Sequence, residues 1–152
     1  MGLDMYLTRE HYVKNWYFMK PSERHQITVL KNGASVDHIK PERISAVVED
    51  VAYWRKANQI HAWFVKNVQD GRDDCGHYYV AREQLQQLLT AVEDVLADHS
   101  KAATVLPSQQ GFFFGATDYD QYYFDDFEHT KKVLSELLAE PGDGEYHYHS
   151  SW

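Results

Sequence analysis

The stretch Val51–Val68, VAYWRKANQIHAWFVKNV, constrains the fold of this chain more than any other. Stepped at about 100° per residue, the α-helical turn, Ala57, Ile60, Phe64 and Val68 fall on one stripe. An apolar stripe of that length must be buried against other elements, so the spacing predicts a core-facing helix over 51–68. Beside it runs a second stripe of Trp54, Asn58, His61 and Val65, while Arg55, Gln59, Ala62 and Lys66 fall toward solvent. At i and i+3, Asn58 and His61 touch on such a helix and can point together into a cavity. The plainer alternative makes both of them core-edge polar groups satisfied by the backbone of nearby loops.

The rest of the chain supplies elements for this helix to pack on. Leu3, Met5 and Leu7 alternate with Asp4 and Tyr6, the period of a half-buried strand. Residues 8–25 have no clean period and are punctuated by Pro21. Gln26–Lys31 and Ala34–Ile39 flank Asn32-Gly33, a pair that accepts positive φ at both central positions of a tight hairpin. Arg43–Glu49 reads as a strand, and Cys75–Val80 as another. Glu83–Ala97 is the clearest helix, with Leu85, Leu88, Leu89, Val92 and Leu96 on one face. The 99–110 connection has room for one helical turn before Pro107, and Gly111–Gly115, with three phenylalanines, reads as a buried strand. Thr117 as a cap with Asp120 three residues on starts a helix that runs to about Ala139, with Tyr123, Phe127, Thr130, Leu134 and Leu137 inward. The last residues alternate Tyr146 and Tyr148 with His147 and His149, as an edge strand with one polar face would. The sum is an α+β fold. One compact domain over 1–152 holds about three principal helices on a small, mostly antiparallel sheet, with an Asn-Gly hairpin elaboration near 26–39.

Charge and composition narrow the function classes. A formal charge of −8 speaks against a nucleic-acid binder that works by neutralising phosphates. Aromatic residues make up 14%, a load that suits ligand pockets and interfaces as well as a core, and that favours self-association into a homo-oligomer. The single cysteine rules out an intrachain disulfide. There is no secretory segment and no apolar run long enough for a membrane span, so the expectation is a cytoplasmic protein with no membrane partner. Walker, dinucleotide-binding, zinc-protease, nucleophile-elbow and EF-hand signatures are absent.

Six phrases together carry a resemblance: MGLDMYL at the start, YWRKANQIHAWF at 53–64, Asp73-Asp74-Cys75, VLPSQQGFFFG at 105–115, YDQYYFDD at 119–126 and the closing Ser-Ser-Trp. The chain resembles an uncharacterised family of small proteins met largely in phage and prophage genomes, over nearly its whole length and most weakly over residues 8–45. The resemblance implies a phage-type accessory protein of the host cytoplasm, and no particular chemistry. Two positions depart from the pattern: Ala81 stands where a capping Ser is expected, and Gln110 stands in place of Ser.

Three constellations bear on chemistry. His61, Asp73, Asp74, Cys75 and His77 are zinc-ligand types, but Cys75-x-His77 lacks the paired spacing of a structural zinc site, so no metal is assigned. A small hydrolase in which His61 acts with Asp74 or Cys75 is the third-ranked reading. Gln109 and Tyr119, near the Phe112–Phe114 run, offer an amide and an aromatic face for a planar ligand. The terminal His147 and His149 are explained by strand alternation without a metal. The favoured expectation is a non-enzymatic protein with no cofactor, binding a small nucleotide-like ligand of host defence signalling through Trp54, Asn58, His61, Asp74, Gln109 and Tyr119. The rival is an acidic inhibitor that occludes a basic surface on a host protein, presenting Asp73, Asp74, Asp118, Asp120, Asp125, Asp126 and Glu128 on one face.

Overall fold

In the computed structural model, residues 2–152 form the following elements in chain order: β1 (Asp4–Tyr12), β2 (Leu30–Lys31), β3 (Ala34–Ser35), β4 (Ala46–Arg55), α1 (Asn58–Asn67), β5 (Tyr78–Val80), α2 (Arg82–Ala97), α3 (Ala102–Val105), α4 (Gln121–Ala139) and β6 (Glu145–Ser151). The architecture is α+β. A four-stranded antiparallel sheet in the order β4-β1-β6-β5 backs the helices, and β2 with β3 makes a separate two-stranded ribbon.

The alternation at the start of the chain sends Met5 and Leu7 into the core, where they meet Trp54 and Ala52 of β4 and Tyr148 of β6. The helical stripes close over them: Ile60 and Phe64 from α1, Leu85, Leu88 and Val92 from α2, and Tyr123, Phe127, Leu134 and Leu137 from α4 are buried in one cluster. Asn32 and Gly33 both take positive φ, 51° and 79°, in the β2–β3 turn, as a tight hairpin requires.

Four local expectations are corrected. The helix begins at Asn58, and residues 51–55 belong to β4 instead. The segment VAYWR satisfies period 2 as well as period 3.6, and pairing with β1 (Tyr6 opposite Tyr53, Met5 opposite Trp54) settles the choice. Lys56, at φ 58°, makes the break, its N–H bonded to the Leu3 carbonyl at 2.7 Å. Starting the helix there buries Gln59, which the longer helix had turned toward solvent. The Gly111–Gly115 run is a turn rather than a strand; its Phe114 N–H bonds Gly111 O, and its Phe113 carbonyl accepts from Leu3 N–H. Asp120 is itself the α4 N-cap, accepting from Tyr123 N–H at 3.1 Å, which displaces Thr117 from that role. β6 lies inside the sheet between β1 and β5, so it is no edge strand.

Candidate functional site

Asn58 opens α1 and is almost wholly buried. Its amide nitrogen donates to the carbonyls of Phe114 at 3.0 Å and Ala116 at 2.8 Å, and its Oδ1 accepts from Gln109 N–H at 2.8 Å. One side chain thus holds both ends of the 109–116 loop against the first turn of α1. Ala57 offers no side-chain cap, so the head of α1 depends on such tertiary contacts.

One turn further, His61 is fully buried with both ring nitrogens engaged. Nδ1 lies 2.8 Å from the Tyr148 hydroxyl and Nε2 lies 3.1 Å from Asp73 Oδ1, which also accepts from Trp152 Nε1 at 3.1 Å. Burial pushes the His61 pKa down, against the opposing pull of Asp73, so the ring is neutral at pH 7. Burial likewise raises the Tyr148 hydroxyl well above its ordinary value. Tyr148 stacks on Phe64 at 3.9 Å between ring centres. The chain Tyr148–His61–Asp73–Trp152 therefore ties β6 and the C-terminal residues to α1, buried at Tyr148 and His61 and wet at Asp73 and Trp152.

A cleft of about 300 Å3 between the heads of α1 and α4 brings several charged groups beside the buried amides of Asn58 and Gln59. Its walls include Arg55, Lys56, Asn58, Gln59, Gly115 and Tyr122, and its acids are Asp118, Asp120, Asp125 and Asp126. The buried Gln59 amide donates to Asp126 Oδ2 at 2.9 Å. Burial pushes the Asp126 carboxyl up to about 6, with the Gln59 hydrogen bond partly opposing it. Lys56 enters the cleft from a left-handed backbone position, a conformation uncommon for residues other than glycine, Asn and Asp.

The residues singled out from sequence disperse. Asn58 lines this cleft and touches Gln109, but only through the Gln109 backbone. Trp54 points into the core, where its indole N–H donates to Thr130 Oγ1 at 2.8 Å. His61 meets Asp73 rather than Asp74. Asp74 instead accepts from Gly76 N–H and the Tyr78 hydroxyl, contacts that lower its pKa. Tyr119 stands edge-on to Tyr123 at 5.0 Å and is half-exposed. The sequence points to neither Gln59 nor Lys56, because a helix register begun at Val51 gives Gln59 to solvent and leaves Lys56 on an ordinary turn, and it places Asp126 only on an exposed acidic face. Asp73, grouped in the sequence with Asp74, Cys75 and His77 as a zinc-ligand type, is the member of that set that reaches His61. Among the described residues, no three His, Cys, Asp or Glu side chains are arranged to hold a metal ion, and no helix is long and apolar enough to cross a membrane. No family model, no curated protein and no solved structure matches the chain.

Proposed function

We propose that the chain is a small-ligand-binding protein whose site is the cleft between the heads of α1 and α4. The ligand is of nucleotide type: an anionic group joined to a planar ring with hydrogen-bond donors. The observation that carries this reading is the half-buried Asp126 carboxyl, which Gln59 fixes in a cleft that Arg55 and Lys56 also line. A carboxyl held this way accepts from a ring N–H or exocyclic amine, and Arg55 and Lys56, which line the cleft from the β4–α1 side while its carboxylates line it from residues 118–126, meet the ligand's anionic group. Tyr122, 81% exposed, supplies a face for stacking. The volume lies at the lower end of ligand pockets, which suits a mononucleotide-sized molecule. The phage-type context rests on the sequence resemblance, and with it the ligand class becomes a signalling nucleotide of host defence.

Titration calorimetry against a panel of mono-, di- and cyclic nucleotides tests this. Binding by the wild type and its loss in both Asp126→Asn and Lys56→Gly supports the site; glycine suits the positive φ, so the second variant should fold. Wild-type protein that binds no nucleotide at millimolar concentration refutes it.

The rival acidic-inhibitor reading keeps one specific support. Asp118, Asp120, Asp125 and Glu128 are exposed around the head of α4 together with Tyr119, Tyr122 and the 95%-exposed Phe112. Asp73 and Asp74 are instead hydrogen-bonded to His61 and Tyr78 respectively. A hydrolase reading would need His61 reachable by substrate, and its ring is sealed between Tyr148 and Asp73.

A further inference from the structure

Between β1 and β4 the chain makes an excursion, residues 14–45, in which no residue is buried. It is nonetheless organised. The Asn15 side chain exchanges two 2.8 Å hydrogen bonds with the His25 backbone, and Arg24 Nε donates to Met19 O. Trp16 and Phe18 lie nearly parallel at 6.3 Å between ring centres, with the Lys14 ammonium 4.4 Å from the Trp16 ring. Trp16, Tyr17 and Phe18 are 50%, 92% and 69% exposed. The arm carries Lys14, Lys20, Arg24, Lys31, Lys40 and Arg43 against Glu23, Asp37 and Glu42, a net charge of +3, which leaves −11 on the rest of a chain whose total is −8. Among the described residues, none of these six cations forms an ion pair. A basic arm that holds three large rings in water is shaped for an acidic, partly apolar surface.

The chain itself presents one. All principal helices pack on one side of the four-stranded sheet, and the other side is largely open, with His77 stacked on His149 at 4.1 Å. Strand register places Arg55, Tyr53, Asp50 and Val48 of β4, Asp4, Tyr6, Thr8 and Glu10 of β1, His149, His147 and Glu145 of β6, and Tyr79 of β5 on that open side. Its four carboxylates against one arginine give −3, opposite in sign to the Lys14–Arg24 segment, where Lys14, Lys20 and Arg24 against Glu23 give +2. Tyr53 stands tilted against Tyr6 at 5.3 Å, and Tyr6 stacks on His149 at 4.8 Å, so a row of rings crosses three strands. Within one chain the two surfaces do not satisfy each other, since Tyr53, Tyr79 and Val48 remain exposed along with the arm's rings.

We propose that two copies of this chain exchange arms, each laying its Lys14–Arg24 segment on the open sheet face of the other. An isologous exchange of this kind is closed at two copies. Three rings per arm, each able to cover on the order of 100–200 Å2 and counted with the surface they meet on both copies, bring the contact to roughly the 1,200 Å2 lower bound of stable interfaces.

Sedimentation velocity on the full chain tests the pairing. The wild type should be dimeric at micromolar concentration in low salt, with affinity falling at least about tenfold in roughly 0.5 M salt as the charges are screened. The arm variant K14E/K20E/R24E and the face variant E10K/D50K should each be monomeric. An equimolar mixture of the two should dimerise again, because in the mixed pair both arm–face contacts are charge-matched. All five positions lie outside the core, and circular dichroism confirms folding. A wild type that stays monomeric overturns the proposal, as do single variants that remain dimeric or a mixture that fails to pair. A monomer whose arm instead binds a fluorescent single-stranded oligonucleotide, with binding lost in K14E/K20E/R24E, overturns it in favour of a nucleic-acid arm.

Discussion

Asn58→Ala removes a side chain that makes three hydrogen bonds, to Phe114 O, Ala116 O and Gln109 N–H. The three are not equal. Ala116 is exposed, so water replaces the amide there and the loss is small. Phe114 is buried and Gln109 partly so, and their polar groups are left in poorly hydrated positions. A net contribution of about 1 kcal/mol per hydrogen bond, with a further ~1 kcal/mol for a buried partner left unsatisfied, gives a loss of about 3–4 kcal/mol. For a chain of this size that lowers the thermal midpoint by roughly 6–16 °C. Urea titration at pH 7 measures the first figure and calorimetry the second. Asn58→Asp should cost at least as much, because a carboxylate keeps the bond to Gln109 N–H but faces two carbonyls with no donor. Amide exchange adds a local readout: protection at Gln109 should fall in Asn58→Ala while that at β1 follows global stability. The account of Asn58 as the clamp on the 109–116 loop is refuted if Asn58→Ala lies within about 0.5 kcal/mol of wild type, the scale of an ordinary surface change.

Burial holds the Asp126 carboxyl up to about 6, well above an ordinary aspartate, so ionisation disfavours the fold as pH rises through that window. Asp126→Asn should therefore exceed wild type by about 1–2 kcal/mol at pH 7.5, after discounting the full shift for partial exposure, and the gap should close near pH 4; a gap that does not change with pH contradicts this. His61 has the opposite sign, since its folded pKa is depressed: wild-type stability should decline as pH falls below about 6.5, and His61→Gln should flatten that slope in denaturation curves taken from pH 7.5 to 5. Tyr148→Phe keeps the stack on Phe64 but leaves His61 Nδ1 without its partner, and a loss of about 1–3 kcal/mol by urea titration is expected.

Much of the fold was legible because it follows from local periodicity. The alternation at Leu3, Met5 and Leu7, the leucine stripe of α2, the inward set on α4 and the Asn32-Gly33 turn each have one burial-compatible conformation, and each forms it. Where two periods fit, the sequence was silent. Val51–Arg55 suits a helix face or a strand, and the Gly111–Gly115 run suits a buried strand or a turn. The candidate site suffered most from this. Moving the start of α1 from Val51 to Asn58 sends Trp54 onto Thr130, buries Gln59 beside Asp126, and opens the cleft at Lys56.

What the sequence by itself determined is the class of fold, the faces of its long helices, the hairpin, and the acidic, aromatic character of the surface. These depend on contacts between a residue and its near neighbours or on composition alone. Only the tertiary structure decided that His61 pairs with Asp73 rather than Asp74, that Asn58 binds the 109–116 loop, and that β6 lies between β1 and β5. Each of those is a hydrogen bond or strand pairing between groups far apart in the chain. Such polar contacts are short-ranged and directional, so which partner is reached depends on where packing of the core has already set the backbone.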